Sequence, residues 1–303
     1  MNRVDGPAYE VVTGRRTDSF REQVVRAYQD APGDWQKVLG EQLHFQWGVF
    51  GHPDSPRPVS LDEAGLRHLR LQLAVAAGLG PHHPTPRRIL DVGCGWGATL
   101  RHLADVFPDC PRLDGINISA EQLTYCAGRA AGTDRIHLYL CDAADIAELP
   151  DSGQPYDLVT ARGAITHFPP QVYETAVGAL AQRMRPGGLF VISETLYSER
   201  FLTAEPQLPP DTDHLALGHR KSLRYVTGVL RDSGFRVLDE RMLPSPEDAA
   251  RWVLELKSNI DAHFPQETSP PLEAIRSMAT ELAVALLRQE ASVHSIVAER
   301  RDA

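Results

Sequence analysis

His167 stands in the run TARGAITHFPP, residues 160–170, where a short apolar segment gives way to a loop. An imidazole there has the intrinsic pKa of a general base near neutral pH. Glu194 and Tyr197 close the later run GLFVISETLY, adding a carboxylate and a phenol at a second strand end. Each also has a plain structural reading: a loop-bracing histidine, a strand-end acid and a half-buried aromatic. Gly93, Gly95 and Gly97 fall in ILDVGCGWG, after a strand-like run and before a helix-like one. Three glycines in five residues exceed what one tight turn uses, so a ligand is expected to approach the backbone there. The dinucleotide pattern G-x-G-x-x-G is nearly met, with Ala98 at its third glycine. Asp91 weighs against a dinucleotide, because a carboxylate two positions before Gly93 repels a pyrophosphate and favours an ammonium group.

These residues need elements to hold them. Residues 17–30 and 34–43 have the spacing of short amphipathic helices, and the aromatic run LHFQWGVF and the proline-rich loop 51–60 follow. Residues 61–78 pattern as a helix ended by Gly78. From Arg87 onward, strand-like and helix-like runs alternate: RRILDV, ATLRHLADVF, RLDGINIS, AEQLTYCAGRAA, IHLYLCD, YDLVTAR, VYETAVGALAQRM and GLFVISET. Such alternation predicts a parallel sheet covered on both faces. A polar insertion at 203–220, a helix in LRYVTGVLRDSG and a strand in FRVLDERML come next, and 247–301 reads as mostly helical.

The chain has 303 residues, 42% hydrophobic and 23% charged, with a formal charge of −9. That balance gives no electrostatic footprint for a nucleic-acid backbone, and no stretch approaches the ~20 apolar residues of a membrane span. Residues 1–14 lack the pattern of a secretory signal, so a cytoplasmic protein is expected. Cys94, Cys110, Cys126 and Cys141 form no CxxC pair and read as small buried hydrophobes rather than disulfide or zinc ligands. No Asp/Asn cluster suited to Mg²⁺ is visible, and no metal is expected.

S-adenosylmethionine carries an amine and no phosphate, and the stretch Asp91 to Gly97 resembles E/D-x-G-x-G-x-G, the first motif of class I S-adenosylmethionine-dependent methyltransferases. LYLCDAADI resembles their segment in which an aspartate, here Asp142, meets the adenine amine and the next backbone N–H, here Ala143, meets the ring. QPYDLVTARGAITHF resembles their fourth strand and its loop, and MRPGGLFVISE the turn into strand five. The resemblance covers about residues 87–195. It implies an α/β, Rossmann-like, seven-stranded and mostly parallel sheet with helices on both faces. A helical lid is expected over 1–80, a core over 81–245 with a substrate-side insertion at 197–222, and a C-terminal helical cap over 246–303. Donor contacts are implied for Asp91, Gly93, Gly95, Trp96 and Gly97. Asn117, Ile118, Gln122 and Arg162 join Asp142 and Ala143 in that role.

GINISAEQ resembles the G-x-T-L-S-x-x-Q run of enzymes like cyclopropane fatty acid synthase and the C-methyltransferases of sterols, tocopherols and isoprenyl diphosphates. In that likeness Gln122 takes part of the ribose contact. LHFQWGVF occupies the place of an aromatic lid, so Phe45, Trp47 and Phe50, with Tyr225, are expected at the substrate. One departure stands out: several relatives carry a glutamate four residues before the histidine, where this chain has Gly163. Aromatics in the covering segments, Phe201 and Trp252 included, favour a flat or greasy small-molecule acceptor such as an indole, a polyketide aromatic or a prenyl chain. The leading expectation is C-methylation in natural-product tailoring by His167, Tyr197 and Glu194, with N- or O-methylation as the alternative. A non-catalytic donor-binding protein is the reading from another class, and a homo-oligomer stays open.

Overall fold

RILDV, residues 88–92, is buried at all five positions, which suits a central parallel strand with both faces covered. The computed structural model describes residues 8–12, 19–51, 59–79, 85–130, 132–204 and 213–302. The proline-rich stretch 52–58 and insertion residues 205–212 lie outside the described residues. The strands are β1 (Glu10–Val11), β2 (Arg88–Val92), β3 (Arg112–Asn117), β4 (Ile136–Leu140), β5 (Tyr156–Arg162), β6 (Met184–Tyr197), β7 (Phe235–Met242) and β8 (Ala291–Arg300). The helices are α1 (Ser19–Ala27), α2 (Pro32–Leu39), α3 (Leu61–Leu79), α4 (Ala98–Val106), α5 (Ala120–Arg129), α6 (Pro170–Arg183), α7 (Glu199–Ala204), α8 (Leu223–Asp232), α9 (Pro246–His263) and α10 (Pro270–Leu287).

Local chemistry sets several helix starts. Ser119, Ser222 and Ser245 accept the backbone N–H of Gln122, Tyr225 and Asp248, capping α5, α8 and α9. Proline opens α6, α9 and α10, where no N–H is needed.

The strands form one sheet in the order β1-β4-β3-β2-β5-β6-β8-β7. All pairings are parallel except those of β8, which runs antiparallel between β6 and β7. From β2 the chain moves outward through β3 to β4, then crosses back to β5 on the other side of β2. That reversal opens a crevice at the carboxyl ends of β2 and β5, where open α/β sheets bind ligands. One face carries Leu69 of α3, Leu100 and Leu103 of α4 and Leu123 of α5. The other carries Tyr173, Val177 and Leu180 of α6 and Leu230 of α8. A third cluster gathers Trp35, Leu39 and Leu43 against Trp252, Leu256 and Ile275 of α9 and α10, placing a helical layer beside the crevice.

Three expectations change. Among the described residues the sheet has eight strands rather than seven, because Glu10–Val11 adds an edge pair beside Tyr139–Leu140. Part of the C-terminal segment expected to be helical, Ala291–Arg300, is the strand β8. Its side chains alternate faces: Ile296 and Ala298 join one core and Val297 the other. The first two helices are also shorter than their periodicity suggests, and α2 ends at Gly40, whose φ is +112°.

At the amino ends of the strands, Arg88 grips Asp114 Oδ2 through Nε and Nη2 at 2.9 and 2.7 Å. Its remaining N–H groups reach the carbonyls of Asp151, Gln154 and Pro150, and the Tyr156 hydroxyl donates to Asp114 at 2.8 Å. A buried ion pair so fully hydrogen-bonded is structural. The carboxyl ends are less satisfied.

Candidate active site

The chain leaves β2 through a turn in which Gly93, Gly95 and Gly97 have φ of +73°, +53° and +81°. L-residues avoid that region, so the turn requires its glycines. The N–H groups of Gly93 and Cys94 donate to the Ile116 carbonyl at 3.0 and 2.9 Å, tying the turn to β3. A Cβ on Gly93 would lie 2.6 Å from that of Ala164, whereas one on Gly95 would meet nothing closer than Gln122 Nε2 at 3.9 Å. The turn thus borders open space.

That space is a cleft of about 1150 Å³, lined by Gly93, Gly95, Trp96, Asn117, Ile118, Gln122, Asp142, Ala143 and Arg162 among others. Gln122 is oriented by Asn117, whose Nδ2 donates to Gln122 Oε1 at 2.7 Å, while Asn117 Oδ1 accepts the N–H of Ile118. The Gln122 carbonyl is therefore occupied, and its NH₂ is left to the cleft. Asp142 Oδ1 accepts the N–H of Ala144 at 2.9 Å, opening the 3-10 turn Ala143–Glu148 and holding the carboxylate at the rim.

Asp91 and Gly97 do not line the cleft. Gly97 sits behind the turn, where a Cβ would lie 2.2 Å from Cys126 Sγ. Asp91 is 2% exposed; its Oδ1 accepts the Thr160 hydroxyl at 2.6 Å and its Oδ2 has no partner. Burial pushes its carboxyl up to about 7, against the pull of Thr160 and Arg162. A raised folded-state pKa means that stability from the protonated form is complete below about 4 and is lost as pH rises through about 7. Asp91→Asn removes that loss, so its melting temperature relative to the wild type should climb between pH 5 and 8; a constant difference across that range would refute the burial argument.

A second cavity, of about 790 Å³, adjoins the cleft. The two share Tyr28, Phe45, Gln46, Gly163 and His167 in their walls. The second is otherwise lined by Trp47, Trp252, Tyr197, Leu256 and Ile275, with Glu194 and Thr166 as polar groups. Trp47 is fixed by its Nε1 donating to Thr195 Oγ1 at 3.0 Å and by a tilted ring contact with Trp252 at 5.1 Å. Tyr197 stacks on Phe201 at 5.4 Å. Glu194 is 2% exposed, with Oε2 and Oε1 accepting the N–H groups of Thr166 and Thr195 at 3.0 and 2.9 Å. Burial pushes this carboxyl up to about 7. Nearby Lys221 donates to the carbonyls of Ile165, Phe168 and His219 and braces the loop that carries His167.

His167 faces the shared wall with both nitrogens engaged. Nδ1 lies 3.0 Å from the Ala216 carbonyl, which it can meet only by donating. Nε2 is then a bare acceptor, and the Tyr28 hydroxyl donates to it at 2.9 Å. Burial lowers the imidazole to about 4 and raises the phenol, so the pair is neutral in this pH range. Tyr28 is the residue that sequence reasoning missed; a tyrosine just past a short helix carries no local mark of a partner 139 residues away. His44 and Gln46 of the lid were also missed. Gln46 donates to the Ser193 carbonyl at 3.1 Å, and a Cβ on Gly163, whose φ is +63°, would crowd its Oε1 at 3.3 Å, so this loop position accommodates no glutamate without strain.

Two expected substrate residues lie elsewhere. Phe50 is 2% exposed, lines neither cavity, and packs beneath the Arg251 guanidinium at 4.3 Å. Tyr225 turns its hydroxyl to Glu174 at 2.9 Å on the outer side of α6. Cys94, Cys110, Cys126 and Cys141 are free and buried, and no group of metal-binding side chains occurs among the described residues. Among those residues no helix is long and apolar enough to cross a membrane.

A family profile described as a methyltransferase domain matches residues 89–188, the span from β2 into β6. The chain is 26% identical over 252 residues to cycloartenol-C-24-methyltransferase 1 of Oryza sativa subsp. japonica, covering 80% of this chain and 66% of that protein. It is 30% identical over 150 residues to ajmaline N-methyltransferase of Rauvolfia serpentina, covering 49% of this chain and 50% of that protein. The chain thus spans between half and two thirds of the length of these relatives. Its fold matches a cyclopropane synthase structure from Mycobacterium tuberculosis with a TM-score of 0.77 at 18% identity, over 95% of this chain and 100% of the other.

Proposed function

We propose, residues 89–188 of this chain being a methyltransferase domain, that the protein is an S-adenosylmethionine-dependent methyltransferase acting on a small-molecule acceptor. The observation that carries this reading is the pair of cavities meeting at Tyr28, Phe45, Gln46, Gly163 and His167. The polar cleft suits the donor: open space beside Gly95, the free NH₂ of Gln122 for a ribose hydroxyl, and Asp142 with Ala143 for the adenine. The partnerless Oδ2 of Asp91 lies behind the turn, where an ammonium group bound beyond it would favour the ionised form of that carboxyl. When bound, this donor supplies an electrophilic methyl group to a nucleophile aligned with its sulfur–carbon bond.

The protein's own residues do the rest. The aromatic walls of the second cavity position an apolar acceptor against the shared wall and exclude water from it. Tyr28 receives a proton from the acceptor only as it passes its own to His167 Nε2, since burial keeps the phenol protonated. Glu194, Tyr197, Phe45 and Trp47 line the acceptor side.

The finer reading is methylation at carbon in natural-product tailoring, supported by the likeness of GINISAEQ to the C-methyltransferase run. Nitrogen is the second reading, favoured by Glu194: a buried carboxylate among aromatic rings attracts an ammonium-bearing acceptor. Incubation with methyl-labelled donor and extract of the producing cell should yield a labelled small molecule, and NMR of its methyl shift would separate carbon from nitrogen. No labelled product would sink the enzyme reading.

A further inference from the structure

The short turn Ile165–His167, which carries the imidazole, is gripped by two buried charges from other parts of the chain. Glu194, near the end of β6, accepts the Thr166 N–H through Oε2. Lys221, 4% exposed, donates through Nζ to the carbonyls of Ile165 and Phe168 at 3.0 and 2.6 Å, one on each side of His167. Its third N–H goes to the His219 carbonyl at 2.7 Å. An ammonium has three donors and no acceptor, so none is left over. Burial lowers this group to about 8 while Glu194 pulls it up, and it is charged near pH 7.

The His219 carbonyl belongs to the segment 213–221, which also supplies the acceptor for His167. There the Asp213 carbonyl accepts the Ala216 N–H at 3.1 Å and Asp213 Oδ1 accepts the Leu217 N–H at 2.8 Å, closing a tight loop with Ala216 at a φ of +53°. That loop aims the Ala216 carbonyl at His167 Nδ1, 3.0 Å away. One ammonium therefore ties the segment bearing the acceptor to the turn bearing the imidazole. The fields of Lys221 and Asp213 at His167 oppose one another, so the tie acts through position. Position sets the direction of proton transfer. With Nδ1–H committed to Ala216, Nε2 is bare and the Tyr28 hydroxyl donates to it. Were Nε2 to carry the proton, it would donate to the phenol oxygen, and His167 could take nothing from Tyr28.

We infer that Lys221 is a positioning residue of the proton relay, an inference resting on the relay reading of Tyr28 and His167 above. By holding Ala216 against His167, it fixes the one tautomer through which a proton can pass from Tyr28 to the imidazole. Long-range proton–nitrogen NMR distinguishes a protonated ring nitrogen from a bare one and needs no acceptor molecule; the His167 signals are assigned by their loss in His167→Asn. The wild type should show Nδ1 protonated and Nε2 bare. Lys221→Met keeps the stem and removes the donors, so the tautomer ratio should move toward Nε2–H by roughly two- to ten-fold, the weight of one neutral hydrogen bond. S-adenosylhomocysteine, whose expected cleft Lys221 does not line, should bind that variant as it binds the wild type in calorimetry. Lys221→Arg keeps charge and donors and should hold the wild-type ratio. If Lys221→Met shows no cooperative melting, the ratio is read from Lys221→Gln, with a shift of the same sign expected. A ratio unchanged in the folded variant, one shifted as far in Lys221→Arg, or a shift accompanied by loss of S-adenosylhomocysteine binding would overturn the inference. A wild type with the proton on Nε2 would instead overturn the relay.

Discussion

Tyr28→Phe is expected to lower kcat by roughly 10²-fold or more while changing donor affinity little, because general acid–base transfer contributes about 10²–10⁴. The geometry makes the phenol the group between acceptor and base. His167 commits Nδ1–H to Ala216 and offers Nε2 only to the Tyr28 hydroxyl, 2.9 Å away. Phenylalanine keeps the ring contacts with Trp35, Phe45 and Trp96, whose centroids lie 6.1, 5.9 and 5.9 Å from that of Tyr28, and deletes only the oxygen. The lid should therefore stay in place. His167→Asn should cost a similar factor, and the double variant no more than either alone, since groups that act as a unit are not additive. A loss of under about three-fold, against the expected 10², or independent losses that multiply in the double variant, would remove the relay.

Gly95→Ala and Gly97→Ala should separate binding from folding. Both positions have positive φ, so each substitution costs about 1–2 kcal/mol of backbone strain. At Gly95 nothing in the protein obstructs the new methyl, which projects toward Gln122 Nε2 across donor space. Donor affinity should fall by roughly five- to a hundred-fold, as for 1–3 kcal/mol of overpacking, with only a small drop in melting temperature. At Gly97 the methyl would lie 2.2 Å from Cys126 Sγ in the buried face of α5, away from the cleft. There the overpacking falls on the fold, and the melting temperature should drop by roughly 5–10 °C. Equal effects of the two substitutions on donor affinity at a temperature where both are folded would contradict the placement of the cleft.

Much of the donor side was legible along the chain because its determinants are local. The alternation of strand-like and helix-like runs from Arg87 follows from two short periodicities, and the structure realises it as β2 to β6 with their helices. The glycine turn, Asn117 with Gln122, and Asp142 with Ala143 each lie within a few residues of a strand end, so one crossover direction brings them to one edge. Phe50 and Tyr225 show the limit of that reasoning: aromatic type said nothing of direction, and packing turned both away from the cavities.

The rest was decided by contacts between distant segments. β8 was hidden because its run follows two long helices, and only pairing with β6 and β7 on both sides makes it a strand. Glu194 could be seen as a strand-end acid, but its enclosure comes from the N–H groups of Thr166 and Thr195 and from helices α9 and α10 behind the second cavity. Tyr28 meets His167 across 139 residues, and Arg162 Nη2 finds no acceptor in His68 because that imidazole turns its Nδ1–H to the Trp47 carbonyl. Periodicity and turn chemistry act over a few residues, enough to lay out the sheet and the donor turn. Which side chains end up enclosed, paired or left without a partner depends on the packed whole, and that is where the contact between Tyr28 and His167 arises.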